Sequence, residues 1–127
     1  MGAHDTHSTY PAQRLTLREA FTYLQEEDRL ENGHSPCSGT IGAANGCLPF
    51  PPSADDLQAA PLDVILTAIT HGPSTPSGQA AAHTLAQTHP HLTAHLSAAH
   101  AAWDDKWGPA VGFRHGDTFH FISIVAS

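Results

Sequence analysis

Three features of the sequence predict an α+β fold: a run of aromatic and aliphatic residues near the C-terminus, a capped amphipathic helix near the start, and helical periodicity through the middle. The helices stand between strand signals rather than alternating with them, which argues against a parallel βαβ arrangement. The expected architecture is a small antiparallel sheet packed against about four helices. Its C-terminal hairpin is central and is joined by a short early hairpin.

The elements follow in chain order. Residues 1–14 are polar and include Pro11, and they read as a flexible N-terminal arm ahead of a single domain spanning 15–127. Thr16-Leu17-Arg18-Glu19 is a capping box, because a Thr hydroxyl can accept from the third helical amide while Glu19 reaches back to the cap. Leu17, Ala20, Phe21 and Leu24 then recur at helical spacing, Glu26, Glu27 and Asp28 fall on the expected outer face, and Gly33 ends the helix. Ser38-Gly39-Thr40-Ile41-Gly42, the turn pair Asn45-Gly46 and Cys47-Leu48-Pro49-Phe50 read as the early hairpin, closed by prolines.

Pro61 suits the start of a helix whose apolar face is Leu62, Ile65, Leu66 and Ile69, stopped at Gly72-Pro73. Residues 73–78 read as a linker and Ala80 to Thr88 as a short Ala-rich helix. Pro90 opens another helix, with Leu92, Leu96, Ala99 and Trp103 on one face. Val111 and Phe113, a turn at Gly116-Asp117, and Phe119 to Val125 form the closing hairpin. Its second strand is apolar on both faces and therefore belongs in the middle of the sheet.

Composition restricts function. The net charge is -7 with His neutral, Lys106 is the single lysine, and the four arginines are scattered, so the clustered cations that nucleic acid or an anionic membrane requires are missing. Neither a basic-then-apolar leader nor a bilayer-length apolar run of roughly 20 residues is present, and the expected location is cytoplasmic, where thiols stay reduced. Eleven histidines make charge and solubility pH-sensitive.

Several groups of residues carry chemistry. His91 and His95 have the one-turn spacing that lets two imidazoles chelate a transition metal, without the Glu of the HExxH pattern. His7-Ser8-Thr9 and His91-Leu92-Thr93 repeat a pattern that phosphoesterases use in pairs, but that chemistry needs both on facing strands. His34 beside Cys37 invites a thiolate nucleophile, yet no arginine follows at phosphate-cradling spacing. Trp103-Asp104-Asp105-Lys106-Trp107-Gly108-Pro109 gathers both tryptophans and the lysine at a helix-to-hairpin junction, where an indole face and an ammonium can hold a flat anion.

The Gly33-His34 helix exit, Ser38-Gly39-Thr40-Ile41-Gly42, Asp105-Lys106-Trp107-Gly108-Pro109-Ala110 and the closing aromatic strand together resemble small uncharacterised proteins carried by phages and their bacterial hosts. The resemblance covers about residues 30–50 and 103–127 and implies a shared fold and a shared site, with no activity attached.

The expected ligand site is therefore His34, Ser38, Gly39, Thr40, Lys106, Trp107 and His120. It belongs to a binding or interaction module for a small polar or nucleotide-like molecule, or for a host protein in the manner of a mobile-element accessory protein. No cofactor is required by this reading. The alternative is a His-dependent hydrolase or metalloenzyme using His91 and His95, and self-association by strand addition is a third role.

Overall fold

A computed structural model of the chain describes residues 3–34 and 39–126. Its elements are strand β1 (Ala3–Pro11), helix α1 (Leu17–Asn32), a 3₁₀ turn (Ile41–Ala43), strand β2 (Cys47–Pro49), helices α2 (Leu62–His71) and α3 (Pro76–Thr88), a second 3₁₀ segment (Pro90–His95), helix α4 (Leu96–Trp103), and strands β3 (Ala110–His115) and β4 (Thr118–Ala126). Among the described residues this is an α+β fold with four α-helices and one four-stranded sheet in the order β1-β4-β3-β2. No helix among the described residues is long and apolar enough to cross a membrane.

The closing hairpin is central, as its doubly apolar second strand requires: β4 lies between β1 and β3 and is antiparallel to both. Two expectations at the sheet margins are corrected. Residues 3–11 are not a loose arm. They pair with β4 from Ala3↔Ala126 to Pro11↔Thr118, polar in sequence because an edge strand keeps much of its surface in water. The early hairpin is not formed either. Ile41-Gly42-Ala43 winds into a 3₁₀ turn, and Cys47–Pro49 pairs with β3 in parallel, Leu48 opposite Val111, so the sheet is mixed.

The sheet divides the core. On one face Val111, Phe113 and Ile122 pack under Ile65, Ile69, Leu85, Leu92 and Leu96 of the helical middle. On the other, Phe119, Phe121 and Val125 meet Leu17, Ala20 and Phe21 of α1. The capping box at Thr16 forms in full, with Thr16 Oγ1 accepting from Glu19 N–H and Glu19 Oε1 accepting from Thr16 N–H. Gly33 ends α1 at φ 83°, a conformation that favours glycine.

In the middle, α3 begins at Pro76 rather than Ala80. Thr75 Oγ1 accepts from Gly78 N–H, so a cap converts the expected linker into a first turn. The segment after Pro90 is 3₁₀ up to His95 and α-helical only from Leu96.

Candidate functional site

The second half of α1 organises the site. Leu17, Phe21 and Leu24 continue as Gln25 and Asp28 on the inward side of the helix, so the stripe that begins apolar ends polar. Asp28 is half-buried, not on the outer face as its charge suggests. Its Oδ2 accepts from Gly42 N–H at 2.7 Å and from the Thr40 hydroxyl at 2.6 Å. Gln25 Nε2 donates to the carbonyls of Ile41 at 3.2 Å and Ala44 at 2.9 Å, and Arg29 Nη2 donates to that of Gly42 at 3.2 Å. Three side chains within the last two turns of α1 thus satisfy the backbone of the 3₁₀ turn, which has few partners of its own. Glycine at position 42 lets the Asp28 carboxylate come this close, because a Cβ there would displace it.

The bend before β3 is tied to the same turn. Asn45 N–H donates to Gly108 O at 3.1 Å, and Ala110 N–H donates to Gly46 O at 2.9 Å. Asp105 shapes the bend itself: its Oδ1 accepts from Trp107 N–H at 3.0 Å and its carbonyl from Gly108 N–H at 2.9 Å. Between helix exit, turn and bend lies a cleft of about 410 Å³ lined by Arg29, His34, Gly42 to Asn45 and Trp107. Trp107 leaves 50% of its surface exposed, and among the described residues Arg29 has no carboxylate partner. A guanidinium has five N–H donors, and one carbonyl uses only a fraction of them.

The expected site residues do not all meet in one place. His34 and Trp107 share the cleft. Gly39 and Thr40 instead line a second groove of about 300 Å³ on the β1 side of the turn, with Asp28 and residues 4–8. Lys106 is not among the residues that line the cleft; its Nζ lies 5.5 Å from the Trp107 ring centroid, a cation–π contact that steadies the indole. Ser38 and Cys37 fall outside the described residues. The remaining cysteine, Cys47, is a free thiol whose pKa burial pushes up to about 12, which keeps it protonated and a poor nucleophile.

His120 belongs to a different place. It is buried on the face of β4 that looks toward α2–α4, stacked on Phe113 with ring centroids 5.2 Å apart. Its Nδ1 is 2.9 Å from Nε2 of His7 across the β1–β4 pair, and the His115 ring stands edge-on at 6.2 Å. Burial, then the charges His7 and His115 would carry, lowers the His120 pKa to about 4, and burial also lowers that of His7. Both rings are neutral at pH 7, one donating to the other. His115 Nε2–H donates to Ala60 O at 2.8 Å, which fixes its tautomer.

The helical premise behind His91 and His95 fails. With three residues per turn, positions four apart on a 3₁₀ segment do not stack, and His91 lies 3.9 Å from Asp55 instead. Among the described residues no group of three or more His, Cys, Asp or Glu is placed to hold a metal ion. His7-Ser8-Thr9 lies on β1 and His91-Leu92-Thr93 on the 3₁₀ segment, so the two patterns do not sit on facing strands.

Sequence reasoning misses Arg29, Gln25, Asp28 and the wall from Gly42 to Asn45. The signal was present as spacing: positions 21, 24, 25 and 28 continue one helical stripe, and polar residues on such a stripe need polar partners inside. The sequence matches no protein-family model, no curated protein and no solved structure. Fold and cleft together define a single α+β domain with a polar, indole-lined hollow at the exit of its first helix.

Proposed function

We propose that this protein is a binding module for a small, flat, anionic ligand of nucleotide-like chemistry, held in the cleft between Arg29, His34 and Trp107. The observation that carries the reading is the pairing of an arginine that has no carboxylate partner among the described residues with a half-exposed indole across one hollow. Arg29 offers a planar fork to a phosphate or carboxylate, and Trp107 offers a π face to a ring. His34 and the Asn45 side-chain amide supply further hydrogen bonds, and the 3₁₀ turn is already fixed by α1, so binding costs little ordering of the wall. None of these residues forms a nucleophile–base pair, which favours binding over catalysis.

The test uses Trp107 as reporter in a Trp103→Phe background, titrated with nucleoside mono- and diphosphates and aromatic carboxylates. Saturable quenching with matching heat in calorimetry is expected, weakened about tenfold or more by Arg29→Gln, in line with loss of a charge-assisted hydrogen bond. Absence of both heat and fluorescence change across the panel would overturn the reading.

A second reading, His-dependent hydrolysis, keeps one supporting observation: the hydrogen-bonded His7–His120 pair, in which one neutral imidazole orients the other. Turnover of activated esters that disappears in His120→Phe would favour it; equal rates for both chains would exclude it.

A further inference from the structure

The two edges of the sheet are built differently. β2 is three residues long and ends at Pro49, so it offers little to a further strand. β1 is nine residues long, pairs one-to-one with β4 without a bulge, and carries neither Lys nor Arg. Its hydrogen-bond polarity follows from its end. Ala12 N–H donates to Asp117 O at 2.8 Å, continuing the β1–β4 register, so Tyr10, Ser8, Thr6 and His4 turn their backbone toward β4. Ala3, Asp5, His7 and Thr9 therefore present their amides and carbonyls outward. Pro11, which has no amide to offer, occupies the next outward position.

Both faces beside β1 are open. A groove of about 240 Å³ runs past Asp5 and His7 against Leu66, Thr70 and Trp103, and the 300 Å³ groove lies on the opposite face. A strand laid against β1 would send alternate side chains into these two hollows.

We infer that the occupant is β1 of a second copy, paired antiparallel about Thr6 to give one continuous eight-stranded sheet. The choice rests on self-complementarity. An antiparallel register centred on Thr6 sets Asp5 opposite His7 of the second copy, and by symmetry His7 opposite Asp5, both side chains on the face that carries Ile122. His7 Nε2 is already engaged with His120, which leaves Nδ1 to donate to the facing carboxylate. His4 then meets Ser8, and no like charges oppose one another anywhere along the pairing. Shifting the centre to His7 would place His7 against His7 and forfeit both contacts.

Light scattering on the full chain across a concentration series at pH 7.5 should approach twice the 13.4 kDa chain mass. Asp5→Lys replaces the carboxylate that accepts from His7 Nδ1–H by a second donor and should weaken association about tenfold or more. Because Asp5 is exposed and makes no described hydrogen bond, its melting at low concentration should stay at the wild-type value. Thr6→Cys places two thiols at the symmetric non-hydrogen-bonded position, where Cα atoms are about 4.5 Å apart, and should cross-link under mild oxidant, whereas His4→Cys should not. A monomer at every concentration overturns the inference. So does a dimer that Asp5→Lys leaves intact, or one that Thr6→Cys fails to cross-link.

Discussion

On the face of the sheet covered by α2, α3 and α4, the inward positions are apolar but for His115 and His120 at one end; on the face covered by α1, they are apolar for two turns and polar thereafter. The first face is closed by hydrophobic burial. The second is closed by Phe21 and Leu17 at one end and, at the other, by Gln25, Asp28 and Arg29 reaching across to backbone groups of a short 3₁₀ turn. The contrast explains why the cleft lies where it does. A layer completed by side-chain hydrogen bonds to an irregular segment leaves concave, polar surface beside it, whereas the aliphatic layer leaves only a smaller groove at the β1 edge, against Leu66, Thr70 and Trp103.

The largest expected effect separates the two faces by energy. Ile69 is fully buried under the helical layer, and Ile69→Ala should cost about 2–4 kcal/mol in chemical denaturation, by lost transfer energy and the cavity left behind. Ligand binding at the cleft, on the other face, should be unchanged in whatever fraction remains folded. Altered affinity would mean that the two faces do not act independently.

Asp28→Asn should cost less, about 2 kcal/mol, because Oδ2 accepts from Gly42 N–H and the Thr40 hydroxyl while Oδ1 accepts from Asn32 Nδ2, so an amide nitrogen meets a donor in either orientation. Here the cleft should respond. Amide exchange at Ala43 and Ala44 should quicken, and the quenching of Trp107 by ligand should weaken, since the wall from Gly42 to Asn45 loses its anchor. Unchanged exchange rates would mean that Gln25 and Arg29 hold the turn by themselves.

What the sequence made legible follows the same division. Hydrophobic periodicity carries the position of α1 and α2, the capping box at Thr16 and the central place of β4, because each is dictated by nearby residues or by burial on both faces. The parallel pairing of β2 with β3 is a contact between residues some sixty positions apart and left no local trace; Asn45-Gly46 even suggested a hairpin. β1 was hidden because an edge strand can be as polar as an arm. In the cleft, His34 and Trp107 were readable from composition at chain junctions. Asp28 was assigned to the outer face because a charge on a helix is usually solvated, and only the stripe it extends says otherwise; nothing in the sequence pointed to Arg29. His120 looked like a cleft residue on chemistry, but alternation along β4 sends it to the opposite face from Phe121.

The smallest effect expected is one of pH, and it locates the polar group that the apolar face does carry. His120 and His7 titrate lower in the folded chain than the ordinary imidazole value of 6.5, His120 at about 4, because burial disfavours the charged ring and because His7 and His115 stand close enough to repel it. Between pH 6.5 and 4 the unfolded chain therefore binds more protons than the folded one, and stability rises with pH across that window. The contribution is complete above about pH 6.5 and is lost as pH falls through the folded values. His120→Phe keeps the stack on Phe113 and removes the titrating ring, so about 1 kcal/mol of the wild-type loss between pH 6.5 and 4.5 should disappear, the pair being partly solvated through His7. A slope of stability against pH that is the same in both chains would assign the acid sensitivity to other groups. It would also mean that the His7–His120 contact is equally well satisfied with a proton added.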